Sequence, residues 1–280
     1  MLKASGVFTA LTVVAGIAIG SSAAYAGPFI LAGTDADDHG SVSGSTNING
    51  WLFMQRSIEN LAPGVTNGSK VVVSLGGSST ALAAKQSAFN LSNLVGQGWT
   101  FQALNGAASI TSFFANTGAV TATNSGIVML DSGNNVTGGL IAAEESALTA
   151  NATQLNSFLG AGGGLFSQAN SYGFLSALVP GLTAPAESYA GINLAATGSA
   201  AFPGLTNTDL SAGPYHDRFA NIGSLSVLGV SAVTGNPIII GASGGSITDP
   251  GTGPKPVPEP ASMLLLASGL LGAVLIRRKY

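Results

Sequence analysis

Short apolar runs that alternate with segments of helical spacing are the feature that most limits how this chain can fold. Val71–Leu75 and Ile127–Leu130 are two such runs, each short enough for a strand and apolar on both sides. Between runs of this kind, apolar residues recur at helical spacing, as at Trp51, Met54 and Ile58. Strands buried on both faces that alternate with helices are typical of parallel sheets. The pattern therefore predicts an α/β fold, a parallel sheet with helices on both faces.

The remaining predicted elements continue this alternation. Further strands are expected at Phe29–Ala32, Trp99–Leu104, Leu165–Ser167, Leu225–Leu228 and Ile238–Ile240. One helix is expected to start at Asn151, where Asn151 and Gln154 have the spacing of a capping box. The Gly, Asn, Ser and Thr content leaves a β-rich, adhesin-like body as an alternative, and the helical spacing in three segments counts against it.

Composition excludes several classes of protein. Of 280 residues, 46% are hydrophobic and the net charge is only −3, so a polar disordered chain is excluded. The chain has no cysteine, which excludes disulfide scaffolds, thiolate metal sites and cysteine nucleophiles. A nucleic-acid-binding surface needs clustered Lys and Arg, and the chain has only nine of these residues, so no nucleic-acid partner is expected.

The amino-terminal end has the pattern of a secretory signal peptide. Lys3 supplies the positive charge, and Val7–Ile19 is an uncharged apolar run. Ala24 and Ala26 are small residues at the positions that signal peptidase reads, so residues 1–26 are predicted to be removed before Gly27. The alternative is an uncleaved anchor, although the apolar run is shorter than the roughly 20 residues of a membrane span.

The carboxyl-terminal end combines a short motif, an apolar segment and a basic tail. A Gly- and Pro-rich linker, residues 248–260, ends in Val257, Pro258, Glu259 and Pro260. Residues 261–280 are predicted to form a transmembrane helix whose basic end stays at the cytoplasmic face. This order resembles the PEP-CTERM sorting signal of Gram-negative bacteria.

The PEP-CTERM resemblance implies a route and partners. It implies transient anchoring in the inner membrane, processing near the motif by an exosortase, and release to the cell surface or the exopolysaccharide matrix. A plain carboxyl-terminal anchor is the alternative. Residues 27–260 hold five basic and twelve acidic residues, a net charge of −7, which disfavours anionic partners and leaves extracellular polysaccharide, cations and proteins.

A second resemblance concerns the body, residues 27–247. The segment from Gln154 to Gln168, with its Gly162-Gly163-Gly164 run, is similar to the helix–glycine–strand unit of the class I glutamine amidotransferase-like superfamily, ThuA-like proteins included. The resemblance implies a flavodoxin-like sheet. The family's reaction needs a Cys, a His and a Glu two residues after the His. This chain has no Cys, and Arg218 stands where that Glu would be, so the resemblance implies a catalytically degenerate domain.

Both histidines stand beside carboxylates. The candidate ligands of a divalent cation are Asp35, Asp37, Asp38, His39 and His216. They do not form a standard EF-hand, because Thr46 stands where a bidentate Glu is needed. Ser167 is a candidate nucleophile with His216 as its base and Asp217 as a partner, although the elbow motif of serine hydrolases is missing.

Three other groups receive structural interpretations. Gly76 and Gly77, before a predicted helix, form a turn that can bind an anion through backbone N–H groups, or an ordinary turn and cap. Lys85 and the pair Glu144 and Glu145 are expected to be solvated.

Two functions follow from these observations. The first is a non-catalytic surface or matrix protein that binds or scaffolds extracellular polymer and needs no cofactor. The alternative is a metal-dependent or serine hydrolase that acts on extracellular glycan or peptide through the Asp35–His39 loop and His216. Proximity of the two histidines to a shared carboxylate would favour the second.

Overall fold

The computed structural model describes residues 27–77, 79–131, 139–168 and 173–242. Within these ranges the α-helices are α1 (Gly50–Leu61), α2 (Ser79–Asn90), α3 (Ala107–Phe114), α4 (Ala142–Ala150), α5 (Ala152–Gly160), α6 (Leu175–Leu178) and α7 (Ala196–Ala201). The strands are β1 (Phe29–Ala32), β2 (Gly40–Ser43), β3 (Thr46–Asn49), β4 (Val71–Leu75), β5 (Thr100–Leu104), β6 (Ile127–Leu130), β7 (Gly164–Ser167), β8 (Ala186–Ala190), β9 (Ile192–Leu194), β10 (Pro214–Asp217), β11 (Ser226–Ser231) and β12 (Pro237–Ala242).

In the described part of the chain, eight strands form one mixed sheet in the order β5-β4-β6-β7-β1-β12-β11-β9. The first five strands in this order are parallel, and β12, β11 and β9 extend the sheet in antiparallel fashion. Two separate ribbons pair β2 with β3 and β8 with β10. The prediction of a parallel sheet is therefore confirmed for its larger part, and the antiparallel extension is a correction to it.

The position of β1 corrects the expected flavodoxin-like order. That order places five parallel strands as 2-1-3-4-5, with the first strand second from one edge. Here β5, β4, β6 and β7 occupy the first four places, in this order, and β1 occupies the fifth place, between β7 and β12. Four apolar residues with no exposed surface fit any interior place in a sheet, so the sequence of β1 does not specify its neighbours.

The helices cover both faces of the sheet, as predicted. Alternate strand residues, such as Ile30 and Met129, point to one face and pack with α1 and α2. Their neighbours, such as Leu31 and Val128, point to the other face and pack with α3, α4, α5 and α6. The inner parallel strands β1, β4, β6 and β7 are thus buried on both faces, which explains their nearly continuous apolar sequences.

The capping box predicted at Asn151 is not formed. Its side chain makes no cap; instead Asn151 Nδ2 donates to the Ala147 carbonyl at 2.8 Å. The residue follows α4 directly, so its amide satisfies the end of that helix rather than the start of α5.

The predicted segments at the two ends lie outside the described residues: the signal peptide 1–26, the last body residues 243–247, the linker 248–260 and the sorting helix 261–280. Among the residues that are described, we find no helix with the length and hydropathy of a membrane span.

Candidate functional site

Polar residues collect where the parallel strands end, which we call the carboxyl edge of the sheet; the opposite edge is the amino edge. The residues that follow the strand ends are Asp35, Asp37 and Asp38 after β1, Gly76 and Gly77 after β4, Asp131 after β6 and Gln168 after β7. Ligands of open α/β sheets bind at this edge, next to the place where the strand order reverses.

The two histidines converge on one carboxylate. His216 Nε2 lies 3.0 Å from Asp35 Oδ2, and His39 Nε2 lies 3.4 Å from the same oxygen. His216 lies in β10 and is held at this position because the backbone N–H of His216 donates to the Gly33 carbonyl at 2.7 Å. The side chains of His39 and His216 are 32% and 24% exposed, so solvent reaches both rings while Asp35 is nearly covered.

A small cavity adjoins this cluster. Thr34, Asp35 and His39 contribute to its wall, together with Phe53 and Asp209. Its volume of about 20 Å³ has room for one water-sized ligand. Thr34 Oγ1 and Asp35 Oδ1 are buried and have no hydrogen-bond partner among the described residues, so the polar atoms there suit a small polar or cationic ligand.

The Asp37 side chain is buried in the protein. Gln168 Oε1 accepts a hydrogen bond from the Ala36 N–H at 2.6 Å, and Gln168 Nε2 donates to Asp37 Oδ1 at 3.3 Å. Burial raises the pKa of Asp37 to about 8, and the charges of Asp131 and Asp38 add to this increase. In the absence of a cation the raised pKa favours the protonated form of Asp37 at neutral pH, and Asp37 would have to release this proton to bind a metal.

Lys85 is buried, so the prediction that it is solvated is wrong. Its Nζ lies 2.6 Å from Asp131 Oδ2, and both side chains have no exposed surface. Nζ also lies 3.3 Å from the Gly76 carbonyl. Burial raises the pKa of Asp131 against the opposing charge of Lys85. Lys85 continues the buried face of Ala81, Ala84 and Ala88, a spacing that could have revealed its position.

Glu144 is also buried, which corrects the expectation for that residue. Its carboxylate accepts hydrogen bonds from the backbone N–H groups of Gly106 at 2.7 Å, Ile141 at 3.1 Å and Gly77 at 3.2 Å. The Gly76–Gly77 turn thus binds an anion, as its sequence allowed, but the anion belongs to the protein itself. Glu145, the next residue, is half-buried.

Ser167 and Asp217 are both buried. Ser167 is 1% exposed, and its Oγ donates to the Gln168 carbonyl at 3.5 Å. Within the residues described, no hydrogen bond joins Ser167 to His216. Asp217 is 3% exposed and lies in β10, where its backbone N–H donates to the Gly33 carbonyl at 3.2 Å.

The described ranges lack the geometry of a metal centre, because no three or more of their His, Asp and Glu side chains are arranged to hold a metal ion. Asp35, His39 and His216 make direct contacts instead, so a cation would have to replace the proton between a ring nitrogen and Asp35 Oδ2. The cation site remains a prediction.

Comparison with known proteins identifies the carboxyl-terminal segment. Residues 256–279 match the family model of the PEP-CTERM protein-sorting motif, as their sequence predicted. No curated protein and no solved structure matches the chain significantly. The match supports an exported surface protein that an exosortase processes, and the amidotransferase-like resemblance of the body has no support from a relative or a solved structure.

Proposed function

We propose that this exosortase substrate is delivered to the cell surface or the exopolysaccharide matrix, where its α/β body binds or scaffolds extracellular polymer without catalysis. The observation that carries the proposal is the sorting motif over residues 256–279. An amidotransferase-like ancestry of the body remains part of the proposal. It is supported by the Gly162–Gly164 unit at the start of β7 and by the parallel order β5-β4-β6-β7 in the sheet.

The chemistry of the carboxyl edge favours a non-catalytic body. Glu144 is engaged by three backbone N–H groups, and Lys85 is closed off by Asp131. The cavity beside His39, at about 20 Å³, is far smaller than the roughly 300 Å³ or more of pockets for organic ligands. The cavity beside His39 is therefore too small for a polymer unit, and the acidic balance of the body favours a neutral or cationic polymer.

Sorting can be tested by mass spectrometry of the protein shed by a host that contains an exosortase. We expect a mature form that starts at Gly27 and ends near residue 260. Replacing Pro258, Glu259 and Pro260 together by Ala should retain the protein in the membrane fraction, whereas Pro254→Ala, just outside the matched segment, should leave shedding unchanged. An intact Tyr280 in the shed fraction would contradict the proposal.

A hydrolase is the second candidate, because both imidazoles meet at Asp35 Oδ2 beside a cavity with buried, unpartnered oxygens. In a tetrahedral zinc site with bonds of about 2.0–2.1 Å, ligand atoms lie about 3.3 Å apart, close to the two distances seen here. The serine version of this candidate relies on Ser167 and His216, which no described hydrogen bond joins.

Calorimetric titration of the purified full chain with zinc distinguishes the two candidates. The hydrolase predicts stoichiometric binding that His216→Ala weakens at least about tenfold, together with cleavage of a neutral polysaccharide. Ser167→Ala should abolish cleavage only in the serine version. The non-catalytic proposal predicts no cleavage, and the absence of both zinc binding and any effect of His216→Ala would remove the metal version.

A further inference from the structure

The outermost strands of the large sheet are β9 and β5, and they differ in how their outward backbone groups are protected. At one edge, Leu194 N–H of β9 donates to Asn207 Oδ1 at 2.8 Å, and Ile192 N–H donates to Ser211 Oγ at 3.4 Å. The side chains of Asn207 and Ser211 thus accept hydrogen bonds from the outward N–H groups of β9. Edge strands with free backbone groups pair readily with other chains, and covering them is a common means of preventing it.

Strand β5 forms the other edge and lacks such cover in the described part of the chain. Thr100 N–H donates to the Lys70 carbonyl at 2.9 Å, and the Leu104 carbonyl accepts from Gly76 N–H at 2.7 Å, so both residues face β4. Because backbone groups alternate along a strand, Gln102 also faces β4, while the N–H and C=O groups of Phe101 and Ala103 face outward.

The sequence of β5 has none of the features that prevent edge pairing. Residues 97–106 contain no charged residue and no proline, and Gln102 and Ala103 are exposed. Phe101 is half-buried and held against Phe89, with ring centroids 5.6 Å apart. The strand is therefore firmly supported from within the protein while its outer backbone groups are accessible.

We propose that β5 pairs antiparallel with β5 of a second copy of this chain, about a two-fold axis that passes through Gln102. This register places Phe101 of one copy opposite Ala103 of the other. Both residues direct their N–H and C=O groups outward, so each opposed pair exchanges two hydrogen bonds and the two pairs satisfy every outward group. The two sheets become continuous, and no like charges meet across the axis.

A second copy fits β5 better than an unrelated peptide, because in the antiparallel register the outward N–H and C=O groups of one β5 match those of the other. With an axis through Phe101, Ala103 would oppose Trp99, whose N–H already donates to the Leu94 carbonyl at 3.1 Å. With an axis through Ala103, Phe101 would oppose Asn105, which lies outside β5. Either register would pair the outward groups of β5 only in part. The interface goes beyond the proposed function: it would assemble the exported body whether or not the body binds polymer.

Single cysteines test the register, because the chain contains no other cysteine. Gln102 opposes itself at a non-hydrogen-bonded position, where Cα atoms lie about 4.5 Å apart and a disulfide can form. We expect Gln102→Cys, in the purified full chain under mild oxidation, to give a covalent dimer. Thr100→Cys is the control: it is exposed on the same side of the strand, but its copies would be separated by about 13 Å.

Equal cross-linking of both cysteine variants, or none of Gln102→Cys, would overturn the proposal. Sedimentation velocity gives an independent readout. Ala103→Pro removes an outward N–H that the monomer does not use, and proline is tolerated at edge strands. It should weaken the dimer at least about tenfold, because that bond occurs twice about the axis. The circular dichroism spectrum should be unchanged, and a wild-type chain that stays monomeric would also exclude the interface.

Discussion

At the scale of single residues, the protein buries ionisable groups along the carboxyl edge and satisfies them in different ways. Lys85 and Asp131 form an ion pair, Glu144 is held by backbone donors, and Asp37 retains its proton. Replacing one member of a buried ion pair leaves the other charge unpaired, which is far more costly than losing an exposed pair. These groups therefore constrain which substitutions the edge can accept.

Asp37 should make stability depend on pH in a direction unusual for a carboxyl group. Its pKa is raised from 3.8 to about 8 in the folded protein, so between these values the folded state holds a proton that the unfolded state has released. The free energy of unfolding contributed by Asp37 is therefore full below about pH 4 and falls as the pH rises toward 8, by at most about 1.4 kcal/mol per pH unit.

Asp37→Asn mimics the protonated side chain and should remove this dependence. In urea unfolding at pH 5 and pH 8, the variant should lose less stability at the higher pH than the wild type does. Glu145→Gln is the control, because it also removes one negative charge, and Glu145 is half-buried and not among the groups that raise the pKa of Asp37. The same change in both proteins between the two pH values would show that Asp37 ionises normally in the folded state.

The residues of the edge show how far sequence reasoning reached. The adjacency of Asp35 to His39 follows from local spacing, whereas the contact of His216 with Asp35, across a long sequence separation, could only be proposed from the sequence and is seen in the structure. Lys85, Glu144 and Gln168 were not predicted as parts of the edge, because charged and amide residues are usually exposed. Their burial depends on tertiary partners, such as Asp131 for Lys85, that no local pattern specifies.

At the scale of elements, Glu144 joins three connections that are distant in the sequence. Its carboxylate binds the turn after β4, the turn before α3 and the first residue before α4. Two of these turns use glycine at positive φ, with Gly77 at 93° and Gly106 at 87°, so backbone N–H groups are available to point at one carboxylate. A single side chain thus fixes the geometry of one half of the carboxyl edge.

Glu144→Ala should destabilise the fold by about 2–4 kcal/mol, because three backbone donors lose a charged acceptor and water can replace it only in part. Glu145→Ala removes the same charge from the next position, and we expect a change within about 0.5 kcal/mol. Urea unfolding of both variants against the wild type measures the difference. Similar losses in the two variants would mean that the three hydrogen bonds contribute nothing specific.

Strands with a continuous apolar sequence were predicted well, whereas polar strands and the direction of strand pairing were not. The strand predictions at β1, β4 and β6 agree with the structure to the residue, because each is an apolar run bounded by turn residues. The ribbon of β2 and β3 was missed because its strands are short and their residues are mostly polar and at least partly exposed. The antiparallel direction of β11 and β12 was also missed, since an apolar run such as Ile238–Ile240 contains no information on direction.

At the scale of the whole molecule, the first and last described strands lie side by side in the sheet. Phe29 at the start of β1 is paired with Ala242 at the end of β12. The strand pairing therefore brings the two ends of the folded body together at the amino edge. Asp35, His39 and His216 lie at the opposite, carboxyl edge.

This arrangement determines when two copies can join. Antiparallel pairing through β5 turns one body by half a revolution relative to the other, so their amino edges, and with them the starts of both sorting tails, face opposite directions. A single flat bilayer can face only one of the two amino edges, so the chain that leaves the other amino edge would have to return around its own body to reach the same membrane. Release from the membrane removes this constraint, so detachment of the exported body would favour formation of the dimer.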